Sequence, residues 1–516
     1  MPEQRDEQRR ERPNGTGRAL LWTAGSTLVP GIAHLRTGRR WAGGLILFCY
    51  VALIAAAVVG AVLLNGDVIR GARIAVQGRW LLTAAALAFA VAVLWMTVII
   101  HSYVITRPPN AGVLRRFAAG AVVTVLCLVV AAPAAAVMRT SYTAHDMFSS
   151  VFSGAADPAE PHDDTDPWAG RDRVDVLLIG GDSGDNRYGM RTDSMMVASI
   201  DVEHGDVVLI GLPRNLENAP FPEDSALAEL YPEPQGFSDL LNEVYQTVAE
   251  DPEELAIDPT VQDPAADTLK QTIGHAIGID IDYYALVDMQ GFEDLVDAIG
   301  GIDVYIEDPI PYGQEDDVLE TGRQHLDGNE ALWYGRSRVN SDDYTRMGRQ
   351  GCLVKYMAEQ VDPTLVLTGF QDLAGATKRT LRTDIPQPKV PHFVDLADLA
   401  AEGGMKTLQL SPPQVDTAYP DWEKIRGLVD AAIREQEESR SSSGESTGKD
   451  GSGGNPEDED MADLAGPSPS ASAPGSPSPS AGDTEWQEYT GLPDPSPTTP
   501  GRQVGDEATS LDRLCP

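Results

Sequence analysis

Three uncharged apolar stretches near the start of the chain, Trp41–Leu64, Trp80–His101 and Phe117–Met138, constrain it more than any other feature. Each is long enough to cross the ~30 Å hydrocarbon core of a bilayer as a helix of about 20 residues. None carries Asp, Glu, Lys or Arg, and Trp41 and Trp80 begin two of them, where amphipathic rings favour the membrane interface. One such run could be a buried core helix; three in succession read as spans. A shorter run, Ala19–His34, is broken by Pro30-Gly31 and reads as interfacial or re-entrant. It is a poor signal peptide, because a polar arm precedes it and no small-residue cleavage site follows.

Orientation follows the Lys and Arg of short connections. Eight Arg up to Arg40 place the N-terminal arm inside, and Arg107, Arg115 and Arg116 agree with that. The first connection, with Arg70, Arg73 and Arg79, discriminates poorly. Three spans then put everything after Arg139 outside; a spanning Ala19–His34 would reverse this. The expected layout is a cytoplasmic basic arm (1–40), a transmembrane region (41–140; spans 41–64, 80–101 and 117–138) and a stalk (141–171). An extracellular domain (172–436) and an acidic tail (437–516) rich in Ser, Pro and Gly follow, the tail reading as disordered except around Trp486–Tyr489 and the final Leu511–Cys515.

Charge divides at the same place. Residues 1–140 hold 15 Lys and Arg against 5 Asp and Glu; residues 141–516 hold 24 against 73, so the chain's net −39 hides +10 and −49. An outer part this acidic argues against a nucleic-acid partner, whose phosphates need clustered Lys and Arg. Outside the spans only Cys352 and Cys515 remain. They are expected to form a disulfide that staples the chain's end to the domain, two unrelated thiols being the alternative.

The outer domain alternates strands and helices. Val174–Ile179, Ser194–Ile200 and Val207–Leu212 read as strands, the last two joined by the turn Glu203–Asp206. Asp267–Ile277, Phe292–Ile299, Asn329–Tyr334 and Tyr344–Val361 read as helices, and Tyr283–Val287, Ile302–Ile306 and Met405–Leu410 as further strands. The pattern predicts an α/β/α three-layer sandwich with a central mixed sheet, preceded by an all-α transmembrane region.

Two groups of residues could carry chemistry. Asp182 follows the first strand and Asp193 opens the second, and ligands of open α/β sheets collect at strand ends. The two carboxylates could share a hard cation; otherwise Asp182 caps a turn and Asp193 pairs with an Arg. The second group is arginine: Arg214, Arg336, Arg338, then Arg346, Arg349 and Gln350 on one helical face, while Arg191 stands just before Asp193. Guanidinium binds phosphate bidentately, but in so acidic a domain these residues could equally neutralise carboxylates. His275 and His325 read as structural and loop residues. No Walker A motif, zinc-type spacing or Ser-His-Asp arrangement presents itself.

The stretches VDVLLIGGDSG, GMRTDSMMVASID, VVLIGLPRN, IGIDIDYYALVDMQGFEDLVDAIGGIDVYI, LDGNEALWYGRSR and DDYTRMGRQ, over about residues 173–361, resemble the LytR-CpsA-Psr family of cell-envelope phosphotransferases, in its actinobacterial multi-span branch. The resemblance implies a hydrophobic tunnel for a lipid tail. It also implies transfer of an anionic glycopolymer (teichoic acid, capsule or arabinogalactan) from a polyprenyl-pyrophosphate-linked glycan to the 6-hydroxyl of N-acetylmuramic acid in peptidoglycan, beside the lipid bilayer. By position, Asp182 and Asp193 would hold Mg²⁺, or Mn²⁺ in its place. Arg191, Arg214, Arg336, Arg338, Arg346 and Gln350 would bind pyrophosphate, with Asp182, Arg191, Asp193, Arg336 and Arg338 as the catalytic set and Asp343 and Arg349 orienting. The apolar strand residues and Phe292–Ile299 could line the lipid slot, though most read as core. Gly184, Asn215 and Leu240 depart from the family's usual Arg, Asp and Lys. A polyprenyl-pyrophosphate phosphatase and a non-catalytic binding protein or attenuator are the rival readings.

Overall fold

The computed structural model describes residues 15–65, 78–107, 112–152, 167–182, 189–313, 317–338, 341–360, 381–446, 503 and 507–515. The first part of the basic arm, Arg70, Arg73, Gly184, the middle of the stalk and most of the acidic tail lie outside them.

Helices α1 (Gly15–Leu28) and α2 (Ile32–Arg36) meet at Pro30-Gly31, where Gly31 takes a φ of 97° that the turn requires. The pair is pinned by Ser26 Oγ, which accepts from Ala33 N, and by Trp95 Nε1, which donates to Thr27 O at 3.1 Å. Helices α3 (Arg40–Asn65), α4 (Gly78–Thr106) and α5 (Val113–Val151) follow. Among the described residues these three are long and apolar enough to cross a membrane, over Arg40–Gly60, Trp80–Thr106 and Val113–Asp146. α5 continues through residues 141–151, which by sequence belong to the stalk. No Gly or Pro interrupts that segment, and Ala144 and Val151 are buried against Ile385 and Val390.

The outer domain is built on seven strands: β1 (Arg173–Asp182), β2 (Arg191–Asp201), β3 (Val207–Leu212), β4 (Tyr283–Asp288), β9 (Leu381–Thr383), β10 (Met405–Gln409) and β11 (Thr509–Ser510). Their order is β11-β10-β3-β2-β1-β4-β9. β1–β4 and β3–β10 are parallel and the other pairs antiparallel, so the sheet is mixed. Helices α6 (Val244–Glu250), α7 (Pro264–Ile277) and α12 (Trp422–Ser446) cover one face through Val248, Leu269, Ile273 and Val429. Helices α8 (Met289–Ala298), α9 (Gly328–Arg336), α10 (Asp343–Gln360) and α11 (Val390–Glu402) cover the other through Val296, Tyr334, Leu353 and Ala400. This is the α/β/α sandwich the alternation predicts. Local signals set the helix ends. Asp263 caps α7 by accepting from Ala266 N, with Pro264 in the first turn and Gly278 closing the end at φ 82°. Asp327 and Glu330 form a capping box on α9.

Three details differ from the sequence reading. The strand β5 (Ile302–Ile306) stays out of the central sheet and pairs with β8 (Gly322–Leu326) as a separate ribbon, while β6 (Ile310–Tyr312) and β7 (Asp317–Leu319) form a second. The reason is its strict alternation: Ile302, Val304 and Ile306 are buried while Asp303 and Tyr305 face water, the pattern of a one-sided ribbon. His325 sits in β8, not in a loop, with Nδ1 2.7 Å from Asp303 Oδ1. The tail joins the fold earlier than Leu511, since β11 pairs with β10; helix α13 (Leu511–Leu514) then brings Cys515 to Cys352, joined to it by a disulfide with Cα atoms 5.6 Å apart. α12 likewise runs ten residues beyond 436, to Ser446.

Candidate active site

The antiparallel β1–β2 pair breaks register at its end. Gly180 faces Ser194, but Gly181 faces Thr192 and Asp182 faces Arg191, which leaves Asp193 as the extra residue of a β-bulge. A bulge redirects a side chain and bends the strand beside it. Gly180 allows the close approach: a Cβ there would stand 2.9 Å from the Ser194 Cβ. Asp182 and Asp193 then face one cavity of about 710 Å³.

The same cavity is lined by Arg191, Arg214, Arg336, Arg338, Arg346 and Gln350, which come from four separate segments of chain. Asp343 and Arg349 stand behind this wall. Asp343, the first residue of α10, meets Arg346 at 3.1 and 3.2 Å, Arg214 at 3.4 Å and Arg338 at 3.7 Å. Arg349 is buried; its Nη2 donates to the Ser337 carbonyl between Arg336 and Arg338, and to Ser341 Oγ at 3.4 Å. It therefore fixes the backbone that carries two of the cavity's arginines. Burial pulls the Arg349 guanidinium below its ordinary pKa. Gln350 accepts from Ser194 Oγ at 3.0 Å and donates to Gly335 O at 3.1 Å.

Asp193 is an arginine partner as well as a cavity carboxylate. Its Oδ1 accepts from Arg214 Nη1 at 3.1 Å and Asn242 Nδ2 at 2.8 Å, and its backbone oxygen accepts from Arg346 Nη1 at 3.0 Å. Burial alone would raise its pKa, but Arg214, the Asn242 hydrogen bond and Arg191 outweigh that and hold it below the usual carboxylate range. Asp182, at the buried end of β1, has Arg336 Nη2 3.8 Å from Oδ2. Arg191 Nη2 lies 3.3 Å from Glu243 Oε1.

The donor set suits a hard divalent cation. Besides the two carboxylates, Asn242 Oδ1 is buried next to Asp193 with no hydrogen-bond partner. Among the described residues no group of three or more His, Cys, Asp and Glu is placed to hold a metal by itself. One or two carboxylates, completed by substrate phosphate and water, is the ordinary environment of Mg²⁺.

Away from the arginines the wall turns apolar: Leu178, Ala285 and Val287 from the sheet, Phe292 and Leu295 from α8, and Leu353, Val354 and Met357 from α10. Val296 and Ile299, which the sequence also made available to a lipid slot, are core. The α10 contribution was missed, yet its signal was present: Gln350, Leu353, Val354 and Met357 follow i, i+3, i+4, i+7 on one helical face. Asn242, Ser194 and Glu243 were also missed, being single polar residues without a pattern. Asn215 and Leu240 both line the cavity, and Asn215 Nδ2 is engaged with Thr417 Oγ1 at 3.2 Å.

A family model described as the LytR_cpsA_psr family matches residues 137–425, more than half of the chain. A polyisoprenyl-teichoic acid–peptidoglycan teichoic acid transferase TagU of Bacillus anthracis is 26% identical over 219 residues, 42% of this chain and 62% of that protein. The protein of the same name from Halalkalibacterium halodurans is 25% identical over 251 residues, 46% of this chain and 73% of that one. The crystal structure of B. subtilis TagV is similar with a TM-score of 0.37 and 20% identity, over 49% of this chain and 94% of that chain. The match to the Bacillus anthracis relative spans less than two thirds of its length.

Proposed function

The chain belongs to the LytR_cpsA_psr family, and from that membership we propose that it transfers an anionic glycopolymer from a polyprenyl-pyrophosphate carrier to peptidoglycan. The observation that carries the reading is the cavity itself, cationic at one end and apolar at the other, which matches a donor with a pyrophosphate head and a prenyl tail. The relatives named as teichoic acid transferases support it.

In this reading Arg214 and Arg346, locked by Asp343, present fixed positive charge to the donor's phosphates, and Arg191, Arg336 and Arg338 complete the clamp. Asp182 and Asp193 would hold a divalent cation, Mg²⁺ or Mn²⁺ in its place, whose contribution when bound is to neutralise charge on the phosphoryl oxygens. Positioning and electrostatics do most of the work in phosphoryl transfer. An acceptor oxygen, which we assign to the 6-hydroxyl of N-acetylmuramic acid, bonds to the glycan-side phosphorus. The bond from that phosphorus to the bridging oxygen breaks, polyprenyl phosphate leaves with, in the overall balance, the hydroxyl's proton, and a phosphodiester remains. In this reading the chain is a multi-pass membrane protein with this domain outside, beside its lipid-borne donor, and the three apolar helices support membrane anchoring.

The test is purified protein with Mg²⁺, a synthetic polyprenyl-pyrophosphate glycan and peptidoglycan fragments. A phosphodiester product that vanishes on chelation and returns with Mg²⁺ supports transfer. Release of phosphate without coupling favours a phosphatase. Tight donor binding without turnover, unchanged by Asp182→Ala, would leave a binding protein.

A further inference from the structure

An apolar strip crosses the sheet from the arginine cluster to the edge. Leu178 faces Ala285 and Gly180 faces Val287 across β1–β4, and Val287 faces Leu381 across β4–β9. All five line the cavity. β9 is the last strand on that side of the sheet. Against it stands the outer end of α5: Phe152 bridges to Thr383, and Leu381 shares one apolar cluster with Ala144, Val151, Phe152 and Leu81.

The height of this cluster matters. Leu81 is the second residue of the span Trp80–Thr106, so it lies where that span meets the membrane surface. Ala144 follows the first charged residue past the third apolar run, Arg139, by only about 8 Å of helix. The cluster therefore touches the cavity wall on one side and the bilayer interface on the other. A continuous apolar surface between the two is what a prenyl chain needs if it is to leave the membrane without exposing its length to water.

We propose that the outer ends of α4 and α5, together with β9, form the passage by which the donor's prenyl tail moves from the bilayer into the cavity. This rests on the transferase reading and adds to it a role for the membrane helices beyond tethering. The occupant is the polyprenyl chain, because the passage joins the apolar part of the cavity, not its arginines, to the membrane.

The experiment uses the full chain in proteoliposomes with two donors, one with a long polyprenyl tail inserted in the bilayer and one with a geranyl tail added from solution. Phe152→Asp is expected to lower kcat/KM for the long-tailed donor about tenfold and to leave the geranyl donor within about twofold. An equal change with both donors, or none with either, overturns the passage. The geranyl rate also shows that the variant is folded. A second measurement avoids the charge: Phe152→benzoylphenylalanine, irradiated with long-tailed donor, is expected to capture the tail, and transfer without capture overturns the proposal. Capture at position 152 by a protein that transfers nothing would keep the passage and sink the transferase reading.

Discussion

Asp343→Asn separates two ways in which the arginines could act. Five arginines line the cavity (Arg191, Arg214, Arg336, Arg338 and Arg346) with three carboxylates, Asp182, Asp193 and Asp288, while Glu243 and Asp343 pair with those arginines from outside it, a net of 0 that the substitution raises to +1. One added unit charge ~6 Å from a phosphate contributes roughly 3 kcal/mol at an effective dielectric constant near 20, less where the cavity mouth admits water. If charge alone governs, donor binding tightens and KM falls by up to about 10²-fold. Geometry argues for a different outcome in turnover. The carboxylate holds Arg346 through two contacts of 3.1 and 3.2 Å and also reaches Arg214 and Arg338. An amide offers one acceptor oxygen and no charge, so the three guanidinium groups repel and drift. A misplacement of ~1 Å costs about 10²-fold. Steady-state transfer of labelled glycan is expected to show kcat lower by about 10²-fold with KM unchanged or lower. The thermal midpoint should also fall, since hydrogen bonds to charged groups contribute about 1.5–3 kcal/mol. A kcat within twofold of wild type alongside a lower KM would refute the positioning argument.

The depressed pKa of Asp193 means its stabilisation is fully present above the ordinary unfolded carboxylate value and is lost as pH falls through the folded one. Below pH ~4 the wild-type thermal midpoint should therefore fall more steeply than that of Asp193→Asn, and parallel slopes would refute the assignment. Cys352→Ser with Cys515→Ser opens a loop of 163 residues, worth up to about 5 kcal/mol by chain entropy. Its denaturation midpoint should drop while transfer at low temperature persists, because neither cysteine lines the cavity. Val354→Arg puts a charge in the apolar wall and is expected to abolish transfer from long-tailed donors while retaining binding of a soluble pyrophosphate, as measured by calorimetry.

The central strands and the helices that flank them were legible because each carries its own periodicity and punctuation. β3 is apolar at every position and buried at every position. The Gly300-Gly301 pair closes α8 with φ values of 90° and 89°. The arginines were legible as types but not as an arrangement. Nothing local shows that Asp193 is the extra residue of a bulge, because a bulge is defined by its partner strand. Asn242, which contacts Asp193, is 49 residues away in sequence. The terminal strand was hidden for a related reason. Thr509–Ser510 has two residues and no pattern, and its place is set by the β10 edge and by Cys352. The stalk misled because its small polar residues lack an amphipathic stripe, whereas tertiary contact at Ala144 and Val151 sustains the helix.

Structural ion pairing and an anion site need not compete for the same arginines. If each guanidinium had its own carboxylate, the cluster would be neutral and would offer a phosphate little. Asp343 is instead shared by Arg214, Arg338 and Arg346, and with Asp193 on Arg214 that makes two negative charges against three positive. Sharing supplies enough attraction to hold the guanidinium groups in place and leaves an uncompensated surplus directed at the cavity. The acid of the rest of the chain does not cancel that surplus, because exposed charges beyond a Debye length of about 8 Å are largely screened. A chain of net −39 can thus hold a cationic end to its pocket through the ratio of arginines to carboxylates within a few ångströms of one another, and Asp343 and Asp193 set that ratio.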